Sequence, residues 1–509
     1  MRVLKKRLTL EDFISYSTSK KTIKLSKDQK EAVQKSAETV KKIVKTGNPV
    51  YGINTGFGAL CNETIKKEDI KKLQTNLIRS HACGIGQPFT KEETKGAMLL
   101  LINSLAKGYS GVKLNTLETL TEMYNEEVLP IIPEKGSLGA SGDLIPLAHL
   151  ALVLIGEGEA NYKGKIMSGE QAMKEAGIKP AKLDAKEGLA LINGTHVVTS
   201  LSALNLHYAS QLSKTADISA AISFEALMGI PTSLDSRIHD LKPYKGQKDT
   251  AENLRRLVQG ITIPNRLKLL NKITEPKVQD RYSLRCIPQI HGPVKDELHH
   301  IKKIIKQEMN SVTDNPLIFE KECLSGGNFH GQYIAIGMDN LASTITTLAS
   351  ISERRTENIL NDMAYTPFLT IEPGLNSGLM IPQYLSAALL SINKILVYPA
   401  SNTSIPVSGS QEDYVSMAMT SALKAKEIIK NVEYVIGIEL LCGAEAFENT
   451  IQPRCEPGIG TQKAYDIIRK YVLPLEEDRV LSKDIEKMYR LVHEGIILKE
   501  VEKEIRELK

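Results

Sequence analysis

The chain has 509 residues, of which 42% are hydrophobic and 25% are charged, enough for two or three domains or one large helical domain. Its 65 Lys and Arg against 60 Asp and Glu leave a net charge of only +5, and Trp is absent, which argues against nucleic-acid partners and aromatic stacking platforms. The six cysteines form no Cys-x-x-Cys pair and no secretory leader is evident, so we expect free thiols in the cytoplasm.

The first predicted elements are a helix and two polar loops. Ser26-Lys-Asp-Gln29 is a capping box, and the apolar residues that follow it at helical spacing are Val33, Ala37, Val40 and Val44. The glycine-rich run Tyr51-Gly-Ile-Asn-Thr-Gly-Phe-Gly58 predicts a flexible loop that carries a tyrosine and an asparagine. The run 79–86 predicts a turn that begins near His81.

The most informative segment is Gly136-Ser-Leu-Gly-Ala-Ser-Gly-Asp143, which precedes a stretch, 144–155, that is apolar almost all round. We expect Asp143 to cap a buried helix there, with Pro146 in the first turn of that helix. The stretch is too short to span a bilayer, so we expect no membrane association.

The tripeptide Ala140-Ser141-Gly142 inside this segment has an unusual chemical capacity. Gly142 has no Cβ that would shield its nitrogen, and Ser141 carries a hydroxyl that can leave as water. Attack of the Gly142 nitrogen on the Ala140 carbonyl carbon, with dehydration of Ser141, would give a methylidene-imidazolone, an electrophile made from the chain itself. The alternative is an ordinary glycine- and serine-rich loop before a helix.

The rest of the chain predicts long helices that alternate with polar segments. Residues 229–264 are rich in Asp, Lys, Gly and Pro and predict a surface excursion with one short helix. Residues 294–312 are amphipathic and place four apolar side chains on one face: Leu298, Ile301, Ile305 and Met309. Further long helices are predicted at 332–360, 382–396 and 411–441. Long antiparallel helices joined by polar loops indicate a central bundle.

Polar segments interrupt these helices, and each one alone would be an ordinary cap or turn. They lie at 191–196, 279–285, 310–316, 325–331 and 409–413. We expect the last of them to begin a helix.

Taken together, these segments and their order resemble the aromatic amino-acid ammonia-lyase family, and within it the histidine-specific members. The resemblance runs from about residue 8 to residue 483, and its most specific parts are Gly-Ala-Ser-Gly-Asp-Leu, the upstream Tyr-Gly-Ile-Asn-Thr-Gly-Phe-Gly and the downstream Tyr-Ser-Leu-Arg-Cys-x-Pro-Gln. It implies a mainly α-helical, long-helix bundle of the fumarase/aspartase-like superfamily. Residues 1–215 would carry the lid loop and the electrophile, and 216–509 would form the bundle and the C-terminal helices of one continuous catalytic unit.

The resemblance also implies which residues act on the substrate. The tripeptide described above would form the methylidene-imidazolone autocatalytically, so that no external cofactor and no metal is bound. Tyr51 would be the general base that takes the β-proton, provided that neighbouring positive dipoles lower its pKa. Asn193 and Tyr282 would hydrogen-bond the electrophilic ring and the substrate amine.

Other positions would bind the substrate through its carboxylate. Arg285 would grip this group with its planar guanidinium, with Asn315 assisting. Gln279 and Phe329 match further pocket positions of the family, and packing beside the pocket is the alternative role for both.

The substrate side chain would be read by His81 and Glu412, because a carboxylate accepts an imidazole N–H and a histidine pairs with the other nitrogen. The expected reaction is the non-oxidative elimination of ammonia from L-histidine to trans-urocanate, the first step of histidine degradation. Two residues depart from the histidine-type pattern and bear on the strictness of this specificity. Tyr414 stands where a histidine commonly follows Glu-Asp, and His196 stands where a glutamine is common.

Several alternatives remain open. A tyrosine or phenylalanine ammonia-lyase or a 2,3-aminomutase would use the same electrophile. A non-catalytic helical scaffold and a metal-dependent hydrolase belong to other classes, although no metal-ligand spacing is present. Family members are homotetramers with shared active sites, so we expect a cytoplasmic homotetramer that acts on a small amino acid, without nucleic acid or membrane as a partner.

Overall fold

A computed structural model describes residues 2–261, 278–320, 322–362, 365–450 and 456–509, without the side chains of residues 449 and 450. The chain forms two compact units, each built from segments that are separated in the sequence. Unit 1 comprises Met1–Asn205, Lys302–Asp339 and Pro399–Leu423, and unit 2 comprises Leu206–Ile301, Asn340–Tyr398 and Lys424–Lys509. The predicted division near residue 215 stays a prediction.

Helices dominate the described part of the chain, which confirms the predicted mainly α, long-helix architecture. In chain order they are α1 (Leu10–Ser17), α2 (Lys27–Thr46), α3 (Ile70–His81), α4 (Lys91–Leu105), α5 (Leu114–Asn125), α6 (Leu144–Leu154), α7 (Gly169–Glu175), α8 (Glu187–Ile192), α9 (His196–Ala226), α10 (Ser236–Asp240), α11 (Lys245–Leu257), α12 (Tyr282–Arg285), α13 (Ile287–Glu308), α14 (Gln332–Leu360), α15 (Met380–Leu396), α16 (Ala418–Thr450), α17 (Ile459–Tyr471), α18 (Ser482–His493) and α19 (Ile496–Ile505). Short 3₁₀ segments lie at Gly58–Leu60, Pro231–Leu234, Pro367–Leu369 and Ser408–Ser410.

The described strands are short and all belong to unit 1. They are β1 (Arg2–Val3), β2 (Ile23–Lys24), β3 (Ile85–Pro88), β4 (Leu129–Pro130), β5 (Pro133–Lys135), β6 (Glu159–Tyr162), β7 (Lys165–Ser168), β8 (Leu317–Ile318) and β9 (Cys323–Leu324). β1 and β2 are parallel, whereas β3–β5, β4–β6–β7 and β8–β9 are antiparallel. In the β6–β7 hairpin, Ala160 pairs with Met167. α4 and α6 are buried along nearly their whole length and form much of the core of this unit.

The sequence signals at α2 act as predicted. The Ser26 hydroxyl accepts the N–H of Gln29 at 3.2 Å, and the Gln29 side chain accepts the N–H of Ser26 at 2.8 Å, so both halves of the capping box form. Gly47 ends the helix with a φ of +73°, a left-handed conformation that glycine adopts without steric cost. Val33 and Val40 are buried, so the helical periodicity identified the face that packs inward.

The surface excursion predicted at 229–264 is wrong for residues 229–261, the part of it that the structure describes. That part contains a 3₁₀ segment and two helices, and α11 buries Asn253, Leu254 and Leu257 completely. Charged residues dominate this stretch of sequence, but a few apolar side chains at helical spacing suffice to bury one face. Residues 262–264 lie outside the described residues.

Two predicted helix starts are also wrong. α13 begins at Ile287, well before residue 294, because Pro293 is accommodated inside the helix. Its predicted apolar face is buried as expected, at Leu298, Ile301, Ile305 and Met309. α16 begins at Ala418 and not at 411, because residues 408–410 form a left-handed turn.

α14 is the one helix of the described residues that is long and apolar enough, by length and composition, to cross a membrane. Within its most apolar window, 67% of the residues are buried inside the fold, as in the core helix of a globular protein. α6 has 11 residues and is shorter than a bilayer requires, in agreement with the prediction.

Candidate active site

The loop that carries Ala140, Ser141 and Gly142 is fixed by pairing with the segment before α9. The N–H of Asp143 donates to the Gly194 carbonyl at 2.8 Å, and the N–H of Gly194 donates to the Ser141 carbonyl at 3.2 Å. Gly142 has a φ of +75°, and a Cβ on it would overlap the carbonyl group of Gly194. This position therefore requires glycine for its conformation and for the close approach of the two backbones.

Asp143 occupies the N-cap position of α6, as predicted, but its side chain does not act as the cap. Its side chain makes no capping hydrogen bond to α6. Instead, Oδ2 accepts the N–H of Val198, in the first turn of α9, at 2.8 Å. Burial raises the pKa of the Asp143 carboxyl to about 7, while hydrogen bonds from Val198, Val197 and Ser137 act to lower it. Asp143 thus ties the Ala140–Gly142 loop to the N-terminus of α9, and Pro146 lies in the first turn of α6 as predicted.

A cavity of about 510 Å³ in unit 1 brings together four predicted site residues: Tyr51, His81, Ser141 and Glu412. Leu144 at the start of α6 and the apolar side chains of the surrounding loop and helices form most of the remaining wall. The cavity therefore joins an apolar pocket to a few polar groups, as small-molecule sites commonly do.

Burial raises the pKa of the Tyr51 phenol, a hydrogen bond from the Gly58 backbone acts to lower it, and the charges of Glu412 and Cys61 raise it further. The net direction is opposite to the lowering that a general base at neutral pH requires. The Tyr51 ring meets the Phe57 ring edge-on, with 6.4 Å between their centroids. The Tyr51 ring is thus packed in the cavity wall, and the raised pKa of its phenol favours the protonated form.

His81 ends α3, and its Nδ1 lies 2.8 Å from the Leu77 carbonyl oxygen and 3.0 Å from the Ser80 hydroxyl. Because a carbonyl oxygen only accepts, Nδ1 carries the proton of the neutral ring and Nε2 is the acceptor. Burial lowers the pKa of His81 and so favours the neutral ring, although the hydrogen bond to Leu77 acts in the opposite direction. Burial raises the pKa of Glu412, whose side chain is half-buried.

Asn193, Asn315 and Phe329 belong to unit 1 but are not among the described residues that line this cavity. The Asn193 amide donates to the Asn315 carbonyl at 2.8 Å, and its buried Oδ1 has no hydrogen-bond partner among the described residues. Oδ1 of Asn315 accepts the N–H of Gly326 at 2.7 Å. Asn193 therefore anchors the backbone next to Gly194, while Phe329 is half-buried.

Gln279, Tyr282 and Arg285 lie together in unit 2. The Arg285 guanidinium donates to Oε1 of Gln279 at 2.7 Å and stands 4.8 Å from the centre of the Tyr282 ring. A cavity of about 490 Å³ is lined by Gln279 and Arg285, and Nε of Arg285 is buried without a partner among the described residues. Tyr282 is 69% exposed. The structure thus places Arg285 beside Gln279 and Tyr282, whereas Asn315, which was predicted to assist Arg285, belongs to unit 1.

The two departures from the family pattern differ in their surroundings. Burial lowers the pKa of His196 to about 3, and neither of its ring nitrogens has a partner among the described residues. Its ring packs against Gly194. Tyr414 is exposed and stacks on His330, with 6.1 Å between the ring centroids. Neither residue is among those that line the unit-1 cavity.

Sequence reasoning missed two residues that shape this site. Gly194 pairs with the Ala140–Gly142 loop, and Ser408 lines the cavity and accepts the N–H of Ala59 at 3.3 Å. Both lie in short runs that contain a glycine with a positive φ, at +121° for Gly194 and +60° for Gly409. Such glycines mark backbone conformations that other residues avoid, which is the signal that could have found them.

Similarity to known proteins agrees with this geometry. The chain matches the family described as aromatic amino acid lyase over residues 8–470. It is 49% identical to the histidine ammonia-lyase of Alkaliphilus oremlandii over 98% of each chain. Among solved structures, it resembles histidine ammonia-lyase from Trypanosoma cruzi, with a TM-score of 0.90 and 38% identity over 99% of this chain and 95% of that one. It also resembles a tyrosine aminomutase from Streptomyces globisporus, with a TM-score of 0.92 and 35% identity over 99% and 98%. This enzyme therefore belongs to the aromatic amino acid lyase family.

Proposed function

We propose that this enzyme eliminates ammonia from L-histidine and releases trans-urocanate, the first step of histidine degradation. The observation that carries the proposal is the unit-1 cavity, which places Ser141 beside Tyr51, His81 and Glu412. The similarity to proteins named histidine ammonia-lyase supports the same substrate for this chain.

The tripeptide loop fits a methylidene-imidazolone that forms from Ala140, Ser141 and Gly142 without an external cofactor. Gly142 has the left-handed backbone and the missing Cβ that a tight closure needs, and Ser141 reaches the cavity. When formed, this group supplies an electrophile that draws electron density from the substrate and so assists the loss of ammonia. The N-terminus of α6 follows the loop directly, and its partial positive charge favours negative charge that develops there.

Tyr51 is the acceptor of the substrate β-proton in this proposal. The hydrogen bond from Gly58 favours the phenolate, but burial raises the pKa of the phenol more strongly. The complete site therefore has to add a positive group near Tyr51 before it can accept a proton at neutral pH.

The imidazole of the substrate is the group that suits the polar wall of the cavity. The carboxylate of Glu412 accepts a hydrogen bond, and a neutral imidazole has one N–H to donate to it. Nε2 of His81 is also an acceptor, so it can pair with the other imidazole nitrogen only when that nitrogen is protonated. A phenyl side chain has no N–H and would leave the half-buried Glu412 without a partner, which is costly.

Arg285 holds the substrate carboxylate in this proposal, because its planar fork matches that group. Gln279 keeps the guanidinium in place through their 2.7 Å hydrogen bond. The roles of Asn193, Tyr282, Asn315 and Phe329 remain those that the resemblance implies.

We further propose a homotetramer in which several copies complete each active site. α15 supports an assembly, because its buried residues are few and its apolar side chains face outward. The exposed ones are Ile381 at 57%, Tyr384 at 60%, Leu385 at 38%, Ile392 at 46% and Ile395 at 76%. A cytoplasmic location, without nucleic acid or membrane as a partner, completes the proposal, and the free thiol of Cys442 is consistent with a reducing compartment.

A substrate panel tests the proposal. Purified enzyme is mixed with histidine, phenylalanine or tyrosine, while the ultraviolet absorbance of the conjugated acid and the released ammonia are followed. We expect both signals with histidine. The variant Tyr51→Phe removes only the phenol hydroxyl and keeps the packing of the ring on Phe57, so it serves as a nearly inactive comparison. Its kcat should be lower than that of the wild type by a factor of about 10² to 10⁴. Absence of both signals with all three amino acids would contradict the proposal.

A 2,3-aminomutase is the second candidate, and the structural similarity to tyrosine aminomutase favours it. An aminomutase returns the amine to the β-carbon, so a β-amino acid would accumulate without a matching release of ammonia. Chromatography of the products from the same panel separates the two reactions.

A further inference from the structure

The loop that carries Tyr51 contacts the segment that carries Glu412 through one hydroxyl group. The N–H of Ala59 donates to Oγ of Ser408 at 3.3 Å. A Cβ placed on Gly58 would lie 2.5 Å from the same oxygen and 3.6 Å from Oε1 of Glu412. The backbone of the loop therefore passes immediately over both side chains.

Each of the two segments is closed on itself by backbone hydrogen bonds. In the loop, the N–H of Gly56 donates to the Glu63 carbonyl at 2.9 Å. In the other segment, the N–H of Val407 donates to the Glu412 carbonyl at 3.0 Å, and the N–H of Glu412 donates back at 3.3 Å. Two preformed pieces thus meet at Ser408.

The backbone at Ser408 has an uncommon conformation. Ser408, Gly409 and Ser410 have φ values of +55°, +60° and +66°, a left-handed run that serine disfavours. Residues that persist in such conformations cluster at functional sites, where the surroundings hold them. This turn brings Ser408 and Glu412 to the wall of the same cavity.

We propose that Ser408 is a positioning residue that couples the placement of the Tyr51 loop to the placement of Glu412. Loss of Oγ releases Ala59, and with it the neighbouring Gly58, whose backbone hydrogen-bonds the phenol of Tyr51. The contact between Ser408 and Ala59 then fixes the positions of Tyr51, the proposed proton acceptor, and of Glu412, the proposed partner of the imidazole. The consequence for catalysis rests on the proposed function, whereas the contact itself does not.

The first test compares Ser408→Ala with Ser410→Ala. Both replace a serine at the same backbone conformation, but Ser410 is exposed and lies at the far end of the turn, so it is a matched control. Hydrogen exchange should be about tenfold faster at the amides of residues 58–60 in Ser408→Ala, because one hydrogen bond of ordinary strength is lost. Ser410→Ala should exchange like the wild type.

The second measurement is the kinetics of ammonia release from histidine. Ser408→Ala should lower kcat/KM about tenfold, with thermal unfolding midpoints equal to those of Ser410→Ala. Gly58→Ala should also lower kcat/KM about tenfold, because its Cβ meets Oγ of Ser408 and because a φ of +54° disfavours alanine. In the Ser408→Ala background only the backbone strain remains, so the loss from Gly58→Ala should be about threefold. Such non-additivity would not arise if Ser408 acted only on global stability.

The outcomes separate the two proposals. A wild type that is inactive on histidine but shows the exchange difference contradicts the proposed function and leaves the loop contact supported. An active wild type in which Ser408→Ala matches Ser410→Ala in exchange and kinetics, or in which the double variant is additive, overturns the role of Ser408.

Discussion

Two cavities are lined by some of the predicted site residues, and they are built in opposite ways. In unit 1, Tyr51, Ser141 and Glu412 come from distant stretches of the chain and meet only through folding. In unit 2, Gln279 and Arg285 are six residues apart and hydrogen-bond each other directly. The first cavity therefore depends on long-range backbone pairing, and the second depends on one short segment.

This difference matches the separate roles that we propose for the two cavities. Fixed backbone pairing suits chemistry, because reacting groups have to be held within a fraction of an ångström. A charged fork beside an exposed ring suits the binding of a carboxylate, which needs a charge and a direction. Substitutions in the unit-1 cavity should then change kcat or substrate selectivity, and substitutions in the unit-2 cavity should change KM.

Ser141→Ala should have the largest effect, with a loss of at least about 10³ in kcat, because the electrophile cannot form without the hydroxyl. Circular dichroism should show an unchanged helical content. The intact mass of the wild type should be two water molecules below that of the translated sequence, because ring closure expels the Ala140 carbonyl oxygen as water and Ser141 loses its hydroxyl as water. The matched control Ser137→Ala lies in the same loop and should retain this mass difference. Full turnover by Ser141→Ala would remove the electrophile from the mechanism.

Arg285→Lys should raise KM for histidine about 30-fold and change kcat little, because a point charge replaces the planar fork. Steady-state kinetics on histidine measure both constants. The control Arg237→Lys changes an arginine whose side chain is 88% exposed and should behave like the wild type. A loss in kcat alone would show that Arg285 takes part in the chemical step, and it would contradict the separate roles proposed for the two cavities.

Glu412→Ala should lower kcat/KM for histidine about 20-fold and leave any residual turnover of phenylalanine nearly unchanged, because only the imidazole donates to Glu412. The control Glu63→Ala removes another carboxyl group from the cavity wall and should affect both substrates alike. Equal losses on both substrates in Glu412→Ala would show that Glu412 does not read the imidazole.

The pH profile gives a further test of Glu412. Burial raises its pKa above the ordinary value of 4.5, and the carboxylate form accepts the substrate N–H. The contribution of Glu412 to kcat/KM should therefore be present above this raised pKa and be lost as the pH falls through it. In Glu412→Gln this acid limb should disappear, while titration of the substrate imidazole remains in both profiles. Identical acid limbs would contradict the assignment.

Gln279→Ala should have the smallest effect, a rise of about threefold in KM, because it removes one hydrogen bond that orients Arg285. The control Gln289→Ala removes another amide from the same cavity wall without touching that hydrogen bond. If Gln279→Ala and Gln289→Ala have the same KM, the hydrogen bond with Gln279 does not orient the Arg285 guanidinium for binding.

The sequence by itself determined the features that depend on nearby residues. The capping box at Ser26 starts α2 as predicted, since both of its hydrogen bonds join residues three apart. The apolar period in 294–312 identified the buried face of α13. The chemical capacity of Ala140-Ser141-Gly142 also follows from three adjacent residues, and the family that the motifs indicated is confirmed.

Only the tertiary structure decided the features that join distant segments. Asp143 stands where a local cap was predicted, but its carboxyl group accepts from Val198, because the pairing with Gly194 brings the start of α9 to it. Ser408 became visible only when its hydroxyl met Ala59. Hydrogen bonds between distant segments form only after whole helices and loops have packed against each other. A pattern within one short stretch of sequence therefore does not indicate which distant N–H a buried carboxyl or hydroxyl group will accept.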